Sequence, residues 1–431
     1  MREPTAKVGI RRTGRGFELV RNGEPYYVRG ACGWDFLEEL KACGGNSIRT
    51  WGGGHRELLD RAHSLGLTVC AGLWLEHTGK GSGYLAKSGG AFCYDDPASV
   101  KAQRSRILAE VRKLRNHPAI LMWGLGNEYE IVSCDNPNMW RAIGHLAQEM
   151  KLIDPNHPVI TVLADVTETK IAMVRKCCPS LDALGVNSYG GLATLAERLR
   201  GLGWEKPYLV TEFGGYGWWD TPEAPWGAPL EPDSTQTAHY YHLPYLGSIA
   251  GQSQCLGSYV YLWGYHMGFA FSNTWLQMRL RPAGEPVAAV EAIELAWTGR
   301  LPSDRAPEIV YWQSSVTLRE VLPGSRHTAE VVLRHPGRPL LQDQPHPKIP
   351  YQIRWEILGE SPPTGHQWPV CCPECITAVR DRRVTFKAPS KEGAYRLYVY
   401  VVDDAGRAAT ANVPFFVRAR KRKRPGGEVV A

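Results

Sequence analysis

The chain has 431 residues, 43% of them hydrophobic and 22% charged. That is too long for one ordinary core and too apolar for a disordered or fibrous chain, so one large folded domain with a smaller companion is expected. The net charge is +7, but six of the bases lie in RARKRKR at 418–424; the body is nearly neutral, and no nucleic-acid partner is expected.

No run approaches the roughly 20 apolar residues of a membrane-spanning helix. The N-terminus, MREPTAKVGIRRTGRGF, has no apolar signal segment, so a cytoplasmic protein without a membrane span is the expectation. The eleven cysteines are odd in number and scattered, which favours free thiols in a reducing compartment. Only Cys371, Cys372 and Cys375 cluster. One C-x-x-C without a second ligand pair is a weak zinc signal, and neither metal nor cofactor is expected.

In chain order, Gly16 to Arg29 is predicted to form strand, turn and strand about Arg21-Asn22-Gly23. Short apolar runs then alternate with amphipathic stretches. Eight strands are predicted at Tyr26 to Arg29, Ser47 to Thr50, Thr68 to Trp74, Ile120 to Trp123, Val159 to Val162, Ala183 to Val186, Tyr208 to Thr211 and Tyr259 to Trp263. Helices are clearest at Arg56 to Leu65, Ala98 to Leu114 and Met139 to Ile153, the second with Asp96 as N-cap and Pro97 at the first helical position. Eight βα units over about 250 residues predict an α/β fold, a (β/α)8 TIM barrel, over 24–303. An open doubly wound sheet is the alternative, but Gly30-Ala31-Cys32-Gly33 lacks the spacing of a phosphate loop.

After about Arg300 helical periodicity gives way to short alternating strands, at Val316 to Leu322, Ala329 to Leu333, Tyr351 to Ile357, Arg383 to Phe386, Ala394 to Val402 and Asn412 to Val417. These predict an all-β sandwich over 304–417, interrupted by a polar loop at Leu340 to Pro350. Residues 1–23 form an N-terminal segment and hairpin, and 418–431 a basic disordered tail.

Barrel enzymes carry their chemistry where strands end at the C-terminal face. The fourth strand leads into Trp123-Gly124-Leu125-Gly126-Asn127-Glu128 and the seventh into Thr211-Glu212-Phe213-Gly214. Each delivers a carboxylate from a buried run. Glu130, the nearest rival acid, lies two residues beyond the strand end and is assigned to the loop.

These segments resemble glycoside hydrolases of clan A, specifically the catalytic barrel of family 2, which has an Asn-Glu pair after strand 4 and a Glu after strand 7. The resemblance covers about 24–300. It extends to Asn46-Ser47-Ile48-Arg49-Thr50-Trp51, to Asn187-Ser188-Tyr189, and to Trp263 where the family places a sugar-platform Trp. It implies a retaining β-glycosidase acting on a carbohydrate, with Glu128 as acid/base and Glu212 as nucleophile. Arg49 would orient Glu212, Tyr189 would hydrogen-bond to it, and Asn127 would hold the sugar 2-hydroxyl. Asn187 and Trp51 are further substrate-site candidates, as are Glu76, His77 and Trp218, with Trp219 and Trp226 beside the last; fifteen Trp in all suit sugar stacking.

No counterpart of the family's N-terminal sugar-binding and immunoglobulin-like domains is expected in the residues read before this barrel. The segment GAYRLYVYVVDDAGRAATANVPFFV instead resembles the closing strands of an immunoglobulin-like sandwich. A transglycosylase with the same glutamates and a non-catalytic carbohydrate-binding barrel are the alternatives. Oligomeric state stays open.

Overall fold

A computed structural model of the chain describes residues 6–52, 56–80, 91–265, 272, 274–336, 351–360 and 369–419. The loop predicted at Leu340 to Pro350 and the basic tail from residue 420 lie outside the described residues. Among the described residues, no helix is long and apolar enough to cross a membrane.

Eight parallel strands close into a barrel in chain order: β1 (Val28–Cys32), β2 (Ser47–Arg49), β3 (Thr68–Leu73), β4 (Ile120–Leu125), β5 (Val159–Ala164), β6 (Ala183–Asn187), β7 (Tyr208–Phe213) and β8 (Cys255–Val260). Most are buried along their whole length. That explains their near-continuous apolar sequences, because a parallel strand faces helices on one side and barrel interior on the other. The helices Arg56–Ser64, Pro97–Leu114 and Pro137–Ile153 form as predicted to within two residues. Asp96 caps the second, its carboxylate accepting from the Ala98 and Ser99 backbone N–H groups at 3.1 and 3.0 Å.

β1 and β8 differ most from expectation. β1 begins two residues later and runs to Cys32. β8 begins at Cys255 and not at Tyr259, because Gly257, which breaks the apolar pattern, lies inside it. Gly257 has φ 120°, and a Cβ there would fall 2.2 Å from the Val28 carbonyl oxygen. Only glycine lets β8 approach β1 that closely.

The N-terminal part is a three-stranded antiparallel sheet of Val8–Thr13, Gly16–Arg21 and Glu24–Tyr26, one strand more than the predicted hairpin. The C-terminal part has two four-stranded sheets. One orders Glu308–Ser314, Arg326–Arg334, Arg383–Lys387 and Ile376–Arg380; the other orders Glu320–Val321, Ala408–Val417, Gly393–Val402 and Gln352–Gly359. Their shared core includes Val331, Trp355, Ile357, Phe386, Leu397, Val399 and Phe415. The strands at 308–314 and 376–380 were not predicted; most of their residues are only half-buried or exposed, so the apolar alternation is weak there.

The chain divides into two compact units that do not follow a single cut near residue 303. The first comprises Met1–Gly215, Tyr241–Gly264 and Ile293–Arg300. The second comprises Tyr216–Tyr240, Tyr265–Ala292 and Leu301–Ala431. Segments that follow β7 and β8 thus belong with the sandwich. Polar side chains account for this within the second unit: Thr410 N–H donates to Ser234 Oγ at 2.9 Å, Ile309 N–H to Thr235 Oγ1 at 2.9 Å, and Arg396 to the Pro229 carbonyl at 2.6 Å.

Candidate active site

β6 and β7 are register neighbours, with Asn187 opposite Glu212 after a bulge. β1 and β2 pair Cys32 with Arg49. These strand ends bring a buried charge pair together. Arg49 is 1% and Glu212 6% exposed, and Arg49 Nη1 donates to Glu212 Oε1 at 2.6 Å and to the Thr211 carbonyl at 3.0 Å. Trp51 Nε1 donates to the same carboxylate oxygen at 2.7 Å, and the Tyr189 hydroxyl donates to Oε2 at 2.8 Å. Three donors thus converge on the buried Glu212 carboxylate and fix its orientation. Reciprocally, the Glu212 charge opposes the burial of Arg49, and the guanidinium is held above its ordinary value.

Glu128 is treated differently. It lies three residues past the end of β4 and adopts φ 51°, the left-handed region, at a cost of about 1–2 kcal/mol for a residue with a Cβ. Its backbone N–H donates to the Val162 carbonyl at 3.0 Å. Asn187 Nδ2 donates to Glu128 Oε1 at 2.9 Å, while Thr211 Oγ1 donates to Asn187 Oδ1 at 2.8 Å and fixes which way that amide faces. Burial, then the charge of Glu212, push the Glu128 carboxyl up to about 7 from 4.5, against the single Asn187 hydrogen bond. Asn127 bridges the two halves. Its Oδ1 accepts from Arg49 Nη2 at 2.6 Å and from Asn187 Nδ2 at 3.2 Å. Together these groups present two buried carboxyls in contrasting surroundings, one met by three donors and the other raised by burial and its neighbour's charge.

Residues 33–217, most of the barrel, match the family "Glycosyl hydrolases family 2, TIM barrel domain". Over that stretch the chain is similar to the catalytic barrel of glycoside hydrolase family 2. Among solved structures, the Bacteroides uniformis β-glucuronidase aligns over 96% of this chain and 48% of its own, at 14% identity and a TM-score of 0.51. A β-galacturonidase of Eisenbergiella tayi, solved with galacturonate, aligns over 68% of this chain and 55% of its own, at 16% identity and a TM-score of 0.51. At these identities the likeness concerns the fold. The chain spans about half the length of these proteins. A comparison with curated proteins finds no match.

The aromatic residue beside the carboxylates just past the end of the eighth strand is Tyr261. It makes edge contacts with Trp51 and Tyr189 at ring-centroid separations of 5.9 and 6.1 Å. Burial and the Glu212 charge raise its phenol well above the ordinary value. Trp263 is a correction. It is 1% exposed, donates from Nε1 to the Phe36 carbonyl at 3.1 Å and stacks on Trp297; a ring so enclosed has no open face for a sugar. The cause is the position of β8, whose end lies three residues earlier than predicted. Trp34, also unpredicted, is half exposed and meets Trp51 edge-on at 6.3 Å.

The remaining candidates make other contacts. Glu76 is buried, its backbone N–H bonded to Gln103 and its carbonyl to the Tyr94 hydroxyl. His77 packs on Trp74, and its imidazole is lowered by burial against the opposing charges of Glu130 and Glu76. Glu130 is fully buried and bound to Lys170 Nζ at 2.9 Å and the Ala164 N–H at 2.8 Å, a structural pairing in the loop. Trp218 falls in the second unit, in a one-turn helix at Trp218–Asp220, with its ring against Trp219 at 4.4 Å. Trp226 belongs to the same unit and meets Phe416.

Proposed function

We propose that the chain is a retaining β-glycoside hydrolase in which Glu212 attacks the anomeric carbon and Glu128 protonates the departing oxygen. The observation that carries this reading is the contrast within one site. Glu212 receives Arg49, Trp51 and Tyr189, whereas Glu128 has one amide donor and a carboxyl pushed up to about 7. After the glycosyl-enzyme forms, the Glu212 charge is gone. Glu128 then becomes easier to ionise and serves as base toward water. The Asn127 Oδ1 is occupied by Arg49 and Asn187, so its amide nitrogen is the group offered to a sugar hydroxyl, a bond that strengthens in the transition state. Tyr261 and Trp34 supply apolar surface for the ring faces.

The fold neighbours named above suggest including aryl β-glucuronides and β-galacturonides with neutral aryl β-glycosides in the substrate panel, with products analysed for hydrolysis against transfer. Roles are then assigned with azide. Glu128→Ala should release activated aryl groups, accumulate the intermediate and give a β-azide. Glu212→Ala should slow every substrate severely and give an α-azide. A folded Glu212→Ala protein that keeps parental rates on an authentic substrate would defeat the assignment.

A further inference from the structure

Outside the barrel, the sandwich holds a cluster that the glycosidase reading does not use. Cys372-Pro373-Glu374-Cys375 forms a one-turn 3-10 helix over Pro373–Cys375, closed by a hydrogen bond from the Cys375 N–H to the Cys372 carbonyl at 3.1 Å. Pro373 at the first helical position fixes the turn. The Cys372 N–H is anchored to the Ile357 carbonyl at 2.9 Å, on the strand Gln352–Gly359. The turn sets Cys372 Sγ, Cys375 Sγ and a Glu374 carboxylate oxygen all within 4.8 Å of one another. Among the described residues it is the one group of three or more such ligands gathered this closely.

The two sulfurs face inward. Cys372 and Cys375 are 7% and 5% exposed and belong to the sandwich core, while Glu374 is exposed. Cys371 is different: it is exposed, and its Sγ lies 3.6 Å from Glu356 Oε1. Adjacent residues on an extended chain point to opposite sides, which separates Cys371 from the cluster.

We propose that Cys372, Cys375 and Glu374 bind a single zinc-class divalent ion, with water as the fourth ligand. Tetrahedral zinc with bonds of about 2.3 Å to sulfur places two thiolates roughly 3.8 Å apart, so a turn already gathered within 4.8 Å closes by side-chain rotation. Two thiolates select a borderline-soft ion over magnesium or calcium. The ion sits at the core edge with sulfur inside and the carboxylate toward solvent, which gives it an entry path. Binding replaces two buried thiol protons with the metal and staples the turn to the sheet. The site is independent of the glycosidase reading.

The test uses the full chain, reduced and freed of metal, with Co2+ as probe. One equivalent should produce sulfur-to-cobalt charge transfer in the near ultraviolet and the visible bands of tetrahedral cobalt, both lost on adding Zn2+. Cys372→Ser and Cys375→Ser should each abolish the charge-transfer band, and Cys371→Ser should retain it. Glu374→Gln, an exposed change that spares the fold, should weaken binding by at least about tenfold, since even outer partners of a metal are worth that much. Circular dichroism checks that each variant is folded. No band at one equivalent, an undiminished band in the Cys372→Ser/Cys375→Ser double variant, or a Cys372–Cys375 disulfide with no cobalt uptake after reduction would each overturn the proposal.

Discussion

Glu128 combines a left-handed backbone with a carboxyl that the folded state prefers to keep protonated. Between 4.5, its ordinary value, and about 7, the folded chain holds a proton that the unfolded chain releases. Stability therefore falls as pH rises through this window, and above it the folded state is penalised by about 3 kcal/mol. Glu128→Gln keeps an oxygen for Asn187 and removes the titration. The variant should match the parent near pH 4.5 and exceed it by that amount at pH 8, in urea unfolding measured at both. A gain of equal size at both pH values would mean that the charge is not its source. The expected loss of activity alongside a gain in stability is the usual mark of a site held in an unfavourable state for function.

At the scale of elements, the close approach of β3 to the segment after β2 positions Trp51, a donor to Glu212. Gly72 in β3 leaves no room for a Cβ, which would lie 2.2 Å from the Thr50 carbonyl oxygen and 2.5 Å from the Trp51 carbonyl carbon. Gly72→Ala should push Thr50 and Trp51 away, displacing the Trp51 donor to Glu212. Overpacking of this kind costs about 1–3 kcal/mol, and a shift of about 1 Å near reacting groups costs roughly 100-fold in rate. Gly144→Ala is the comparison. Its Cβ would meet the Cys177 carbonyl at 1.9 Å, between the helices Pro137–Ile153 and Glu168–Cys177, away from the carboxylates. It should lower the melting temperature without changing kcat/KM of the folded protein, whereas Gly72→Ala should lower both. Equal kcat/KM in the two would separate the β2–β3 contact from the site.

The same elements explain what was legible in the sequence. β4 is a continuous apolar run with Glu128 three residues past its end and β7 one with Glu212 at its penultimate position, so both carboxylates stand out by pattern. Arg49 and Tyr189 emerged only through the family resemblance. The reading of β8 is displaced because Gly257 interrupts its apolar run, and with it the aromatic candidate moves from Tyr261, beside the carboxylates, to Trp263. Trp34 had no strand pattern of its own to mark it.

At the scale of the whole chain, the difference between sequence order and compact units has an energetic consequence. Residues 216–240 and 265–292 share a unit with the sandwich, and buried polar groups hold them there. Arg396, fully buried on the strand Gly393–Val402, donates to Asn412 Oδ1 at 2.8 Å and to the Pro229 carbonyl, and its Nε lies 2.9 Å from Glu360 in ion-pair contact. Glu231 accepts from Asn412 Nδ2, from Ser272 Oγ and, at 2.7 Å, from Thr274 Oγ1. Burial raises the carboxyls of Glu231 and Glu360, the latter to about 7. Ending the chain at residue 303 deletes Arg396, Asn412 and Thr410 together. Each deserted buried group costs about 1–3 kcal/mol, and the apolar partners are lost as well, against a total stability of about 5–15 kcal/mol for a folded domain. Such a fragment, which a boundary at 303 would make a complete barrel domain, should therefore fail to fold cooperatively. Arg396→Ala in the full chain removes only the hub and should cost about 3–5 kcal/mol, the range for breaking a buried ion pair. Differential scanning calorimetry of the two checks both expectations. A residue 1–303 fragment with a sharp transition near that of the full chain would show that these segments do not depend on the sandwich.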